Sequence, residues 1–127
     1  MKIYVAAPYP YREDAIVVMK ALEEKGLTVT SRWLREVDEL CDKDARKDLE
    51  DIRNADVLLA LNPADWENKG SGGRHIEFGY AYALNKHVVL AGSRSNMFHH
   101  LNDVPQIDLT IESIVSALYE RSLAGPE

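Results

Sequence analysis

The sequence predicts an α/β domain built as a single doubly wound, Rossmann-like (flavodoxin-like) sheet of four to five parallel strands flanked by helices. Three observations carry this. Short apolar runs alternate with stretches of helical period along the chain. The run Ala55-Asp56-Val57-Leu58-Leu59-Ala60-Leu61 is nearly continuously apolar, as a strand covered on both faces must be. The 127 residues, 46% of them hydrophobic, suffice for one core, so residues 1–127 are read as one domain.

Ile3-Tyr4-Val5-Ala6-Ala7 is the first strand. Ala15, Val18, Met19 and Leu22 then recur at helical spacing, and Gly26 supplies a left-handed stop. Leu27-Thr28-Val29-Thr30 is the second strand. A polar connection with Arg32, Trp33 and Cys41 leads to Asp44, read as the N-cap of a helix carrying Ala45, Leu49 and Ile52. The third strand follows at Val57. After it, Gly70-Ser71-Gly72-Gly73 opens a helix in which Ile76, Phe78, Tyr80, Ala81, Ala83 and Leu84 leave little polar face. That helix ends near Asn85. His87 to Gly92 is the fourth strand and Ile107-Asp108-Leu109 a short fifth. Thr110 caps a last helix whose apolar face is Ile111, Ile114, Val115 and Leu118.

Composition removes several function classes. A formal charge of −6 argues against binding of duplex nucleic acid, which relies on clustered Lys and Arg. No apolar run approaches a transmembrane length, and Met1-Lys2 leads into a strand without a secretory h-region, so a cytoplasmic location is expected, with no membrane partner. Cys41 is the only cysteine, which excludes an intrachain disulfide or a thiolate metal cluster. The glycine-rich segment lacks G-x-G-x-x-G spacing and follows the third strand, so it is poor evidence for a dinucleotide; a P-loop is absent. His99-His100 sets no coordination geometry by itself and reads as a solvated pair. Ser93 and Ser95 show no nucleophile elbow. Neither a cofactor nor a metal is expected.

Ligands of a doubly wound sheet bind outside the carboxyl ends of the strands. This gathers three loops, residues 6–12, 62–74 and 92–102. Glu77 stands in the segment Gly70-Ser71-Gly72-Gly73-Arg74-His75-Ile76-Glu77-Phe78-Gly79, in or near the first turn of an otherwise apolar helix. Burying a lone carboxylate costs several kcal/mol unless it is paired, so packing does not explain this one. The helix dipole favours its charge while apolar neighbours oppose it.

These residues carry a resemblance. Ile3-Tyr4-Val5-Ala6-Ala7-Pro8, Asp48-Leu49-Glu50-Asp51-Ile52-Arg53-Asn54-Ala55-Asp56-Val57 and the block from Gly73 to Lys86, in this order over nearly the whole chain, resemble the nucleoside 2-deoxyribosyltransferase superfamily, which includes deoxynucleoside monophosphate N-glycosidases. The resemblance implies a Rossmann-like fold, an enzyme cleaving the N-glycosidic bond of deoxynucleosides or their monophosphates, and a homodimer or higher homo-oligomer. It implies Glu77 as nucleophile, Asp48 as the acid serving the leaving base, and Tyr4 as the residue orienting Glu77. Substrate contacts carried over in the same way are Ala6, Ala7 and Pro8 of the first loop, Gly73, and Asn96 as the nearest match to a polar residue lent to a neighbouring subunit.

One departure bears on the reaction. The transferases have a base-contacting aspartate six residues before the nucleophile, where this chain has Ser71; serine there resembles the monophosphate N-glycosidases, in which it helps hold a 5′-phosphate. A longer loop with Asp65 and Trp66 either replaces that carboxylate or is a solvated insertion. Arg74 pairs either a phosphate or a surface acid, and Arg12 carries the same alternatives. The expected reaction is attack of Glu77 on the anomeric carbon through an oxocarbenium-like transition state, followed by transfer of the deoxyribosyl group to another base. Hydrolysis of (deoxy)nucleoside 5′-monophosphates, or a nucleotide-binding module without turnover, are the alternatives. A phosphoribohydrolase loop of the type P-G-G-x-G-T-x-x-E matches in its glycines but not in its other residues.

Overall fold

The computed structural model describes residues 1–36, 39–64 and 72–124. Five parallel strands, β1 (Lys2–Ala6), β2 (Thr28–Val29), β3 (Val57–Asn62), β4 (His87–Gly92) and β5 (Gln106–Ile107), form one sheet in the order β2-β1-β3-β4-β5. Four helices connect or follow them: α1 (Arg12–Glu24), α2 (Asp42–Arg53), α3 (Gly73–Ala83) and α4 (Ile111–Leu123). α1 packs beside α4 and α2 beside α3, so both faces of the sheet are covered. This is the doubly wound fold expected from the alternation of apolar runs and helical periods.

β3 is buried at every residue, which is why its sequence shows no polar alternation. α1 buries Ala15, Val18, Met19 and Leu22, the residues its spacing selected, and Gly26 ends it at φ 82°. Thr110 caps α4 by accepting a hydrogen bond from the Ser113 N–H at 3.1 Å.

Four elements differ from expectation, one of them β5, which covers Gln106–Ile107 against an expected Ile107-Asp108-Leu109. α2 begins at Asp42 rather than after Asp44, whose Oδ2 accepts the Glu39 N–H at 2.7 Å and so ties the incoming chain to the first helical turn. β2 is only two residues long, because the hydrogen bonds that a longer strand would give Val5 come from side chains. Ser31 Oγ accepts the Val5 N–H at 2.6 Å, and the Trp33 indole N–H donates to the Val5 carbonyl at 2.9 Å. α3 is not apolar all round in the buried sense either. Ile76 is 71% exposed, and Leu84 also faces solvent, while Phe78 and Ala81 enter the core.

The turn Arg32–Leu34 that carries Trp33 is pinned to α2 by Asp51, a buried carboxylate that accepts both the Arg32 N–H at 3.0 Å and the Arg32 Nε–H at 2.9 Å. On the other side of the sheet centre, β3 and β4 end in register at Asn62 and Gly92. Gly92 adopts φ 115°, and a Cβ there would stand 2.3 Å from the Asn62 carbonyl oxygen. Backbone, not a movable side chain, occupies that space. Gly92→Ala should therefore cost at least about 2 kcal/mol of unfolding free energy, measured by urea denaturation, whereas Gly79→Ala, with nothing within 4 Å, should not destabilise.

Candidate active site

The chain reverses its winding direction between β1 and β3, and a cleft of about 440 Å³ opens at their carboxyl ends. Ala7, Pro8 and Tyr9 reach it from the loop after β1, Trp33 from the following turn, Cys41, Asp44, Ala45 and Asp48 from one face of α2, and Gly72, Gly73, Arg74 and Glu77 from the start of α3. The spacing 41, 44/45, 48 is that of a single helical stripe.

Tyr4 lies on β1, inside the sheet, with no exposed surface, and its hydroxyl donates to Glu77 Oε2 at 2.6 Å. A hydrogen bond this short to a carboxylate holds the acid by one oxygen and fixes which way the other points. Burial raises the Tyr4 pKa well above its ordinary value, and the negative charges of Glu77 and Asp48 raise it further. The phenol therefore remains a proton donor throughout the working pH range. The Coulombic effect of Asp48 on Tyr4 also places that carboxylate near the same bond, on α2 across the cleft from α3.

α3 opens with Gly72 at φ 83°, a left-handed residue that lets the chain turn sharply into the helix. No protein atom lies within 4 Å of a Cβ built at Gly73, whose backbone borders the cleft. Arg74 is buried at 8% exposure and faces the cleft; burial lowers its pKa, but a guanidinium remains charged regardless. Among the described lining residues it is the one cation, against Asp42, Asp44, Asp48 and Glu77. Tyr9 and Trp33, with ring centroids 6.4 Å apart, form an aromatic wall, and Leu40, at φ 53° and 82% exposed, stands at the rim.

The fold has solved counterparts. A Clostridium botulinum CMP N-glycosidase, BcmB, superposes with a TM-score of 0.65 at 22% identity, covering 93% of this chain and 98% of that one. A 2-deoxyribosyltransferase from Leishmania mexicana gives a TM-score of 0.70 at 18% identity, covering 94% and 97%. The fold is the one these two enzymes share. No family model matches the chain, and no curated protein matches it by sequence.

The structure brings Glu77, Asp48 and Tyr4 together, with Ala7, Pro8, Gly73 and Arg74 around the same cleft. Ala6 is buried at the end of β1 and borders a small void behind α3 instead. Asp65 and Ser71 lie outside the described residues. Asn96 is away from the cleft; it accepts the Phe98 N–H at 2.9 Å and lines a separate apolar groove of about 170 Å³ with His75, Phe78 and Phe98. Arg12 donates to the carbonyls of Trp33 and Leu34, both at 3.2 Å, and so braces the turn beneath the aromatic wall rather than a ligand. Tyr9, Trp33, Asp42 and Asp44 were not singled out as site residues. The helical stripe through Asp44 and Asp48 was the available signal for one of them.

His99 corrects the reading of a solvated pair. It is 2% exposed, its Nδ1 accepts the Ser95 N–H at 2.9 Å, and only His100 faces solvent. Among the described residues no group of three or more His, Cys, Asp or Glu could hold a metal ion. Burial, reinforced by His75 and Arg74, lowers the His99 pKa from 6.5 to about 4. A group whose pKa is depressed in the folded state stabilises the fold above its unfolded pKa. That contribution is lost as pH falls from 6.5 towards 4. Urea midpoints measured across this window should fall more steeply for the wild type than for His99→Asn, which has no imidazole to titrate.

Proposed function

We propose that this protein cleaves the N-glycosidic bond of 2′-deoxynucleosides and transfers the deoxyribosyl group to a second base through a glycosyl ester on Glu77, as a member of the nucleoside 2-deoxyribosyltransferase superfamily. The observation that carries this reading is the Tyr4–Glu77 hydrogen bond at the floor of a cleft that Asp48 also faces. The phenol holds Glu77 by one carboxylate oxygen, and the acid so held borders the cleft in which a sugar would lie. Glu77 displaces the base at C1′, and Asp48 supplies the proton that the departing ring nitrogen needs. A ring nitrogen of the incoming base then attacks C1′, its proton passes to the Asp48 carboxylate, and the ester C–O bond breaks to regenerate the Glu77 carboxylate and the acid form of Asp48. The aromatic wall of Tyr9 and Trp33 suits a planar base, and Gly73 lets the sugar approach the backbone.

A second reading, hydrolysis of nucleoside 5′-monophosphates to free base and sugar phosphate, is favoured by one feature. Arg74 is a buried cation beside the amino end of α3, where a phosphate would gain from charge and helix dipole together. The Clostridium protein named as a CMP N-glycosidase gives this reading its substrate class. The surplus of carboxylates among the described lining residues weighs towards the uncharged nucleoside. Neither reading requires a cofactor, and the free, exposed Cys41 suits a reducing, cytoplasmic setting.

Chromatography of the protein incubated with each deoxynucleoside and each 5′-monophosphate, with and without a free acceptor base, decides between them. Acceptor-dependent base exchange is the expected result; base release from monophosphates alone would establish the hydrolase, and no turnover would leave a binding module. In the same assay Glu77→Gln should lower turnover by roughly a thousandfold or more without loss of fold, and Asp48→Asn by roughly a hundredfold with substrate still bound.

A homodimer or larger homo-oligomer belongs to the same proposal. Ile76 on α3, with Met97 and Phe98 beside Asn96, exposes 58–74% of each apolar side chain next to the cleft-bearing helix. Sedimentation should show an oligomer that Phe98→Glu shifts towards monomer, and an active wild-type monomer would remove the claim.

A further inference from the structure

Glu77 is held from the sheet side by Tyr4, but the helix that carries it must also be fixed in rotation about its own axis. Behind α3, away from the cleft, the end of β3 and the loop after β4 are knitted together by Asn62. Its side-chain amide donates to the Ser93 carbonyl at 2.7 Å and to Ser95 Oγ at 3.0 Å. Its own carbonyl accepts the Ser93 N–H at 2.9 Å, over the space that Gly92 leaves empty. The Ser95 N–H, aimed inward by this arrangement, ends on His99 Nδ1 at 2.9 Å.

The His99 ring then meets α3. Its centroid is 5.2 Å from Phe78, at an interplanar angle of 60°, and 5.9 Å from His75. Phe78 follows Glu77 directly and His75 precedes it by two residues. Both residues lie on the side of α3 turned away from the cleft that Glu77 lines. The void bordered by His99, Asn62, Ala6 and α3 is only about 10 Å³, so the ring packs closely behind the helix.

We propose that His99 is a positioning residue for Glu77: the Ser95 N–H to Nδ1 hydrogen bond fixes the imidazole against Phe78 and His75, and that contact sets the rotation of α3 at which Glu77 meets the Tyr4 hydroxyl. The role is carried by an acceptor atom at the Nδ1 position together with a planar group against Phe78. The neutral ring required for it is the form that burial among Arg74, Arg94 and two further histidines favours. Its catalytic consequence rests on the reading of Glu77 as nucleophile; the positional claim does not.

Three substitutions separate the acceptor from the packing. Asparagine places an oxygen where Nδ1 stands, glutamine places one where Nε2 stands, and phenylalanine keeps the ring but has no acceptor. The orientation of Glu77 is read without substrate, from the Cζ signal of Tyr4 in carbon-13 tyrosine NMR spectra, assigned by its disappearance in Tyr4→Phe. His99→Phe and His99→Gln should move that signal and lower kcat by roughly tenfold with KM changed less than about threefold, as expected when a reacting group is displaced and binding is not. His99→Asn, which keeps the acceptor but not the full ring, should disturb both less than either. An unmoved Tyr4 signal in folded His99→Phe or His99→Gln would overturn the proposal, and so would His99→Asn behaving like His99→Gln. Should His99→Phe fail to fold, the contrast between asparagine and glutamine carries the test. If the wild type turned over no nucleoside, the proposed reaction would fall, while the Tyr4 signal would still report on His99.

Discussion

A buried phenol on an interior strand, with its hydroxyl 2.6 Å from a carboxylate on a helix, is the constraint to which the site answers. Tyr4 can stand there only because β1 lies inside the sheet, with β2 on one side and β3 on the other, and because α2 and α3 share the covering layer above it. Burial alone would leave a hydroxyl unsatisfied, at a cost of about 1–3 kcal/mol. Glu77 removes that cost and in return is oriented. The pair thus couples packing to chemistry: the same bond that satisfies the core aims the acid.

Around this bond the charges are distributed unevenly. Asp51, with a carboxylate on α2 like Asp48, is committed to Arg32 and to the turn that presents Trp33. Asp48, three residues earlier, emerges one turn nearer the cleft and lines it. The helix therefore spends one acid on architecture and the other on the pocket. Three residues apart, the two carboxylates are neighbours on one side of α2, so sequence spacing does not separate their roles; their partners do.

Much of this was legible in the chain because it rests on local rules. The apolar run from Ala55 to Leu61, the α1 stripe and the Thr110 cap each follow from periodicity or from a hydrogen bond spanning three residues. Glu77 was conspicuous as a carboxylate among apolar neighbours, and Asp48 and Tyr4 joined it through a resemblance rather than through any local rule. What escaped the sequence depends on contacts distant along the chain. His99 read as solvated because its partners, Ser95 on its own loop and Phe78 on α3, are assembled by the Asn62 network, which no period encodes. Arg12 was open between phosphate and surface acid because the carbonyls it holds belong to a turn more than twenty residues away. The brevity of β2 likewise reflects side chains standing in for strand.

That substitution has an effect beyond the site. Past Ile3, the outer side of β1 offers no free ladder: Ser31 and Trp33 occupy the Val5 amide and carbonyl, and β2 covers only Lys2 and Ile3. An extended segment from another molecule approaching that margin would find its hydrogen-bonding groups already engaged along Val5. The fold thereby blunts a route to runaway strand addition at this margin, while its uncovered apolar groups, Ile76 on α3 with Met97 and Phe98 nearby, offer side chains rather than unpaired backbone.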